Sequence, residues 1–294
     1  MNQNEWLAER FEEHRPRLRA VAYRMLGSLS EADDVLQDAW IRLNRTDTGE
    51  VESLGAWLTT MVARLALNVL RSRRSRQEQS LEIRVPEPII DPVDGSDPEH
   101  EALLADSVGL AMLVVLDTLT PAERLAFVLH DMFAMPFEEI ARIVDRSPAA
   151  ARQLASRARR RLPGSRPMPD PDLDVQWKAA EAFMAAARNG DFTALLEVLD
   201  PEVVLRADFG AVPPGRSVVV RGAEAVARQA TAWGRVDIVM RRVLVNGTPG
   251  AVLTIGGQLF SVAAVTVRAG RIVEIDFLGD PKRLAQMDLA FLDL

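Results

Sequence analysis

The sequence contains no cysteine, which excludes a disulfide framework, a thiol nucleophile, a cysteine-based zinc finger and an iron–sulfur site. Histidine is nearly absent: His14, His100 and His130 are too scattered to suggest a metal centre, and neither a metal nor a cofactor is expected. Long apolar runs are missing too. The longest, residues 108–116, falls far short of the roughly 20 residues that a bilayer-crossing helix needs. The opening stretch MNQNEWLAERFEEH carries acids where a secretory leader has a basic start and an apolar centre, so the chain is expected in the cytoplasm with no membrane partner. Lysine is confined to Lys178 and Lys282, so nearly every positive charge is a guanidinium; genomic base composition explains that bias as readily as a preference for phosphate does.

What the 294 residues do contain is ordinary globular material, 48% hydrophobic and 26% charged, enough for two or three small domains. A net charge of -7 argues against a uniformly basic nucleic-acid binder, but the average hides clusters. Residues 64–76 hold Arg64, Arg71, Arg73, Arg74 and Arg76 without an acid, and residues 146–166 hold Arg146, Arg152, Arg157, Arg159, Arg160, Arg161 and Arg166, again without one.

Two breaks interrupt the helical periodicity. One, with Pro86, Pro88, Pro92 and Pro98 among acids, reads as a partly extended linker over residues 77–97; the other, with Pro163, Pro167, Pro169 and Pro171, reads as a stiff linker over residues 163–171. Three folded units follow: residues 1–76, 98–162 and 172–294. In the first, Ala32, Val35, Leu36, Ala39, Trp40 and Leu43 recur at helical spacing after Ser30, read as the N-cap, while Glu31, Asp34, Gln37 and Asp38 take the other face. A helix through Leu7, Phe11, Leu18 and Met25 precedes it, and one over residues 57–70 follows and runs into the first arginine cluster.

In the second unit a long apolar helix ends near Leu119. Thr120, Pro121 and Glu123 then spell a capping box, and Ser147 with Pro148 starts a helix reaching Leu162 after the turn DRSP. This is a helix-turn-helix layout. Ala151, Leu154, Ala155 and Ala158 can pack inward, leaving Arg152, Gln153, Ser156, Arg157 and Arg160 outward, where a major-groove helix needs base and phosphate contacts; a solvated helix whose arginines complement its macrodipole is the plainer reading. The third unit turns to helices near residues 175–189, 192–199 and 224–233 with alternating stretches such as VVLRADF and RIVEIDF, an α+β pattern. There Glu274 and Asp276 share one sheet face, as do Arg206 and Asp208, and the carboxylates could act as acid and base, though a solvated face is the commoner outcome. Trp233 is expected to fill the interior. No catalytic constellation is assembled.

The stretches LGAWLTTMVARLALNVLRSRRSR and YRMLGSLSEADDVLQDAWIRL resemble the second conserved region of bacterial sigma factors of the extracytoplasmic-function group. LTPAERLAFVLHDMFAMPFEEIARIVDRSPAAARQLASRARRRL resembles their fourth region. Two ordered motifs about 100 residues apart are more specific than either alone. Val85 to Pro88, VPEP, and Asp280 to Leu284, DPKRL, resemble the WLPEP and NPDKL signatures of the branch with a fused SnoaL-like domain, whereas Asp208 to Gly215, DFGAVPPG, departs from that branch's DGGGK.

The resemblance implies two all-α sigma domains followed by a SnoaL-like (NTF2-like) cone with a curved antiparallel sheet. It implies core RNA polymerase and promoter DNA as partners, with Asp34, Gln37 and Asp38 docking on the polymerase clamp. Asn68, Arg71, Arg73 and Arg74 would engage the minus-ten element, and Arg152, Gln153, Ser156, Arg157 and Arg160 the minus-thirty-five duplex. The cone would modulate activity through contacts with the sigma domains, with a pocket around Arg206, Asp208, Trp233, Glu274 and Asp276 and an unidentified small ligand. A ligand-responsive helix-turn-helix repressor or activator, or a SnoaL-type cyclase or isomerase, is the alternative.

Overall fold

In this computed structural model residues 3–46, 53–77, 84–95, 109–161, 169–210, 217–233, 237–287 and 289–292 are described. Two compact units are present: residues 1–81, 98–106 and 115–164 form one, and residues 82–97, 107–114 and 165–294 the other. The division differs from the three units read in the sequence. Both helical groups share one unit, and most of the first linker, residues 82–97, belongs to the sheet unit.

The helical unit begins with α1 (Gln3–Leu26), α2 (Leu29–Leu43) and α3 (Leu54–Gln77), which pack on one another. Leu7, Phe11, Leu18, Val21, Met25, Ala32, Val35, Leu36, Ala39, Leu58, Val62 and Leu67 form their buried stripes, at the three- and four-residue spacing that puts side chains on one helix face. The cap of α2 is Ser28, not Ser30: Gly27 takes a left-handed turn and the Ser28 hydroxyl accepts from the Glu31 amide at 3.4 Å. Ser30 hydrogen-bonds the Ser28 hydroxyl instead.

Helix α4 (Leu110–Asp117) leads to α5 (Pro121–Phe127), whose capping box is as read: Thr120 and Glu123 satisfy each other's backbone amides. A five-residue π-helical turn, Val128–Met132, extends α5, and no sequence signal announced it. Helix α6 (Phe137–Val144) ends at left-handed Asp145, and α7 (Pro148–Arg161) starts under the Ser147 hydroxyl, which accepts from the Ala150 amide at 3.2 Å. Ala151, Ala155 and Ala158, all fully buried, let α7 lie close against α5. The α5 and α6 helices also pack on α3. The buried Arg124 of α5 ties the two helical groups together: Nε and Nη2 donate to the Arg24 carbonyl at 3.2 and 3.1 Å while Nη1 pairs with Asp117.

The sheet unit opens with β1 (Ile90–Asp91), taken from the first linker. After it come α8 (Leu173–Asn189), α9 (Phe192–Val198), β2 (Leu199–Asp208), β3 (Val218–Arg221), α10 (Ala223–Trp233), and the meander β4 (Ile238–Val245), β5 (Thr248–Ile255), β6 (Gln258–Arg268) and β7 (Arg271–Leu278). A short α11 (Pro281–Leu284) follows. The strand order is β1-β4-β5-β6-β7-β2-β3, and every pair is antiparallel except β2 with β7. The sheet is therefore mixed, not wholly antiparallel, because α10 carries the chain across and the meander returns to β2 in the same direction. Register shifts between β2 and β7, β5 and β6, and β6 and β7 leave extra residues in β2, β6 and β7, bulges that bend strands and let a sheet wrap around helices. The core lies between α8, α10 and the inner face of the sheet, with Leu195, Leu199, Val203, Val226, Val267 and Ile272 among its most buried members.

Candidate functional site

On α2 the acids divide by task. Glu31 and Asp33 are engaged within the unit, pairing with Arg73 and Arg19, the latter through two bonds of 2.8 and 3.0 Å. Asp34, Gln37 and Asp38 are exposed, as the alternation of the apolar stripe dictates. Ile41, at 42% exposure, stands on the same face at the i, i+3, i+4, i+7 spacing and supplies an apolar centre that the sequence reading missed. Its signal was legible: an isoleucine interrupting a polar stripe.

On α3, Asn68, Arg71 and Arg74 are exposed, and Arg71 and Arg74 line an open cleft with Thr120 and Pro121 of the α5 start. Arg73 is not available to a nucleic acid in this arrangement. Its guanidinium donates to the Leu26 carbonyl at 2.8 Å and to Glu31 at 3.0 Å, with 13% of the side chain exposed. It closes the C-terminal end of α1 against α2, a structural task that a run of charges cannot disclose. The side chain of Arg76 lies outside the described residues.

On α7, Arg152, Gln153, Ser156, Arg157 and Arg160 all face outward. Arg152 lies 3.3 Å from Glu138 with both side chains 59% exposed, a pair that solvent renders weak. Arg159 and Arg161 are occupied instead. Arg159 forks onto Asp131 at 2.8 and 3.1 Å, and Arg161 reaches the buried Glu123 at 2.7 Å. Among the described residues Arg157 and Arg160 have no carboxylate partner, so α7 presents a guanidinium-bearing outer face at the second helix of a helix-turn-helix.

In the sheet unit the residues assigned to a pocket do not meet there. A cavity of about 210 Å³ lies between α8, α10 and the sheet, and Trp233 lines it. Its walls take Leu205 and Ala207 from β2, Phe209 just beyond that strand, and Ile275 and Phe277 from β7. Since successive strand residues point to opposite faces, Arg206, Asp208, Glu274 and Asp276 lie on the other side of the sheet. The alternation foretold that they share a face, but not which one. Arg206 donates to Glu274 at 3.1 and 3.3 Å and to Asp276 at 3.2 Å. Burial pushes the Asp276 carboxyl up to about 7, with Glu274 adding to the rise and Arg206 opposing it. Among the described residues, no acid and base therefore face a common cavity.

Asp208 has a different role. Its carboxylate accepts from the Val85 amide at 3.0 Å, the Gly210 amide at 3.0 Å and the Arg283 guanidinium at 2.9 Å. Further along the same stretch, the Asn246 side-chain oxygen accepts from the Ile89 amide at 3.0 Å and the Asn246 backbone amide donates to the Ile89 carbonyl at 2.8 Å. The VPEP stretch, the DFG turn and the DPKRL stretch thus converge on one carboxylate. Gly210 is required there, because its φ is +72° and a Cβ would sit 2.9 Å from the Asp280 side chain. No group of acids or histidines among the described residues is arranged to hold a metal ion. No helix among them is long and apolar enough to cross a membrane.

Residues 10–76 match the Sigma-70 region 2 family and residues 110–162 match Sigma-70, region 4. The chain is 35% identical over 292 residues to the ECF RNA polymerase sigma factor SigJ of Mycobacterium tuberculosis, covering 93% of this chain and 91% of that one. It is 33% identical over 285 residues to the probable ECF RNA polymerase sigma factor SigI of the same species, covering 97% of each. The crystal structure of the M. tuberculosis extracytoplasmic function sigma factor SigJ superposes with a TM-score of 0.76 at 32% identity, covering 96% of this chain and 99% of that one.

Proposed function

Because the chain belongs to the extracytoplasmic-function (ECF) family of RNA polymerase sigma factors, we propose that it docks on core RNA polymerase through the outer face of α2 and reads promoter DNA through α3 and α7. The observation that carries this assignment is the sorting of charge. Of the many acids and guanidinium groups in the helical unit, some neutralise one another internally. Asp34 and Asp38 flank an exposed Ile41 on one face, and Arg152, Arg157 and Arg160 stand outward on another. An apolar centre ringed by charge is the usual anatomy of a protein interface. Exposed guanidinium groups on the second helix of a helix-turn-helix suit the major groove and its phosphates. The work of such a protein is done in the cytoplasm, where polymerase and promoter are.

The SnoaL-like cone modulates that activity in this reading. Minus-ten and minus-thirty-five elements are about 25 base pairs apart, on the order of 85 Å of duplex at ~3.4 Å per pair. A compact unit of some 150 residues has a radius of gyration of about 15 Å. The packing of α5 and α6 on α3 must therefore open before both elements are held, and the Arg124 bonds to the Arg24 carbonyl oppose opening. Polymerase and promoter select the open population.

In vitro transcription tests the assignment. Purified protein with core polymerase initiates at a defined start site, and Asp38→Arg lowers core affinity by about tenfold, the scale of a charge reversal within an interface, without shifting the melting temperature. Operator binding without any polymerase-dependent start, across varied promoters, would favour a ligand-responsive repressor or activator instead.

A further inference from the structure

We propose that Phe137, backed by His130, is a positioning residue for base readout, a shelf that holds the Arg152 guanidinium extended toward a guanine of the minus-thirty-five duplex. The inference rests on the promoter-reading role of α7 and asks which of its arginines is built for a base. Arg152 has a ring beneath it: its guanidinium carbon stands 5.5 Å from the centroid of Phe137, inside the ~6 Å reach of a cation–π contact. Arg157 and Arg160 have no such ring among the described residues. Glu138 also approaches Arg152, at 3.3 Å, but both side chains are exposed and water weakens the pair.

The shelf is itself braced. Phe137 opens α6 and is half-buried, and His130 stacks on it with centroids 3.8 Å apart and a 28° tilt. A carbonyl oxygen only accepts, so the 3.0 Å bond between His130 Nδ1 and Met135 places the imidazole proton on Nδ1 and fixes the ring. His130 belongs to the π-helical turn, whose wider hydrogen-bonded ring re-aims the side chains it carries. The next residue of that turn, Asp131, takes the fork of Arg159. Two consecutive residues thus brace α7 toward both ends, His130 through Phe137 and Arg152, Asp131 through Arg159. A free arginine has many rotamers, and ordering it against a base edge costs that freedom. Stacking on a ring meets part of the cost before DNA arrives and leaves the planar fork open to guanine O6 and N7. Arg152 lies near the N-terminal end of α7, the end that reaches base edges, whereas unsupported Arg157 and Arg160 suit phosphates, which ask for charge more than orientation.

The probe is a library of promoter-length duplexes of random sequence, selected by holoenzyme with the sequences held by core polymerase alone subtracted. The selected duplex is then titrated against its single-base variants. Wild type is expected to prefer guanine at one upstream position, and Arg152→Ala to lose that preference. Phe137→Leu should lower it by about two- to fivefold, the scale of an exposed cation–π contact, with preferences at the other positions unchanged, and Phe137→Tyr should restore it. If wild type enriches no upstream sequence, or Arg152→Ala keeps the preferred base, the promoter-reading role of Arg152 fails and the shelf with it. If Arg152→Ala erases the preference while Phe137→Leu retains it in full, the shelf alone is overturned. Equal losses at every position in Phe137→Leu, or no recovery in Phe137→Tyr, also overturn it, since a ring that merely supports the fold would behave so. Should Phe137→Leu fail to fold, the δ-proton resonances of Arg152 in the wild-type chain decide, assigned by their absence in Arg152→Ala. Upfield displacement by the ring current, relative to those of Arg157, supports the shelf, and equal positions overturn it.

Discussion

Arginines from two clusters that look alike in the sequence can have opposite functions, and partners decide which. Arg73 spends its donors on Leu26 and Glu31, whereas Arg157 faces solvent. Arg157→Ala should therefore weaken upstream-element binding by roughly three- to tenfold while leaving the melting temperature in place. Arg73→Ala should do the reverse, lowering the melting temperature by several degrees because Glu31 and the α1 carbonyl lose a buried partner. Differential scanning calorimetry beside a DNA-binding titration separates them, and equal melting temperatures would remove Arg73 from its structural role. A charge run in a sequence shows where guanidinium groups cluster, but the distinction between these two is tertiary and no local pattern encodes it.

Asp276 gives a residue-scale prediction with a sign. Its carboxyl sits at about 7 in the folded chain against an ordinary 3.8, so between those values the native form holds a proton that the unfolded form has released. The stability this contributes is full below pH ~4 and is lost as pH rises through about 7. Urea midpoints of the wild type should therefore fall relative to those of Asp276→Asn from pH 4.5 to pH 8. Parallel pH profiles for the two proteins would show that the carboxyl titrates normally.

At the scale of elements, most of the helices were legible because burial of a single face imposes a three- and four-residue apolar rhythm, and the caps at Thr120 and Ser147 announced their starts. Strand pairing was not. The parallel match of β2 to β7 joins residues some 70 apart, and only the meander's return sets its direction. Likewise β1 has two residues and no alternation to betray it; what makes it a strand is the edge of β4 and the Asn246 bonds to Ile89. Asp208→Ala, which deprives the Val85 amide and Arg283 of their shared acceptor, should release this stretch. Hydrogen exchange at the Val85 and Ile89 amides is expected to rise by about tenfold or more, with exchange in β5 and β6 unchanged. Unaltered protection at both amides would mean that Asn246 and the β4 edge suffice to hold it.

For the whole molecule, the division of labour in the helical unit hinges on Arg124, 2% exposed and shared between Asp117 and the Arg24 carbonyl. Arg124→Met keeps the volume and removes the donors. The variant should show a larger radius of gyration by small-angle scattering and bind core polymerase several-fold more tightly, since less packing has to be undone. A variant as compact as the wild type would place the restraint elsewhere. The sequence placed the two helical groups correctly in order but could not show that they share a core, because the bonds that join them run from a guanidinium to a main-chain oxygen.

The strand contributed from between the two helical groups also dictates where a gene may be cut. A fragment beginning after the second proline-rich stretch would be translated without residues 84–95 and would expose the β4 margin, where Val239 is already 54% accessible, together with unmet donors and acceptors along Leu244 and Val245. Bare margins of that kind invite pairing between neighbouring copies, so a soluble preparation of the cone should be sought by supplying that short stretch as a fused or added peptide.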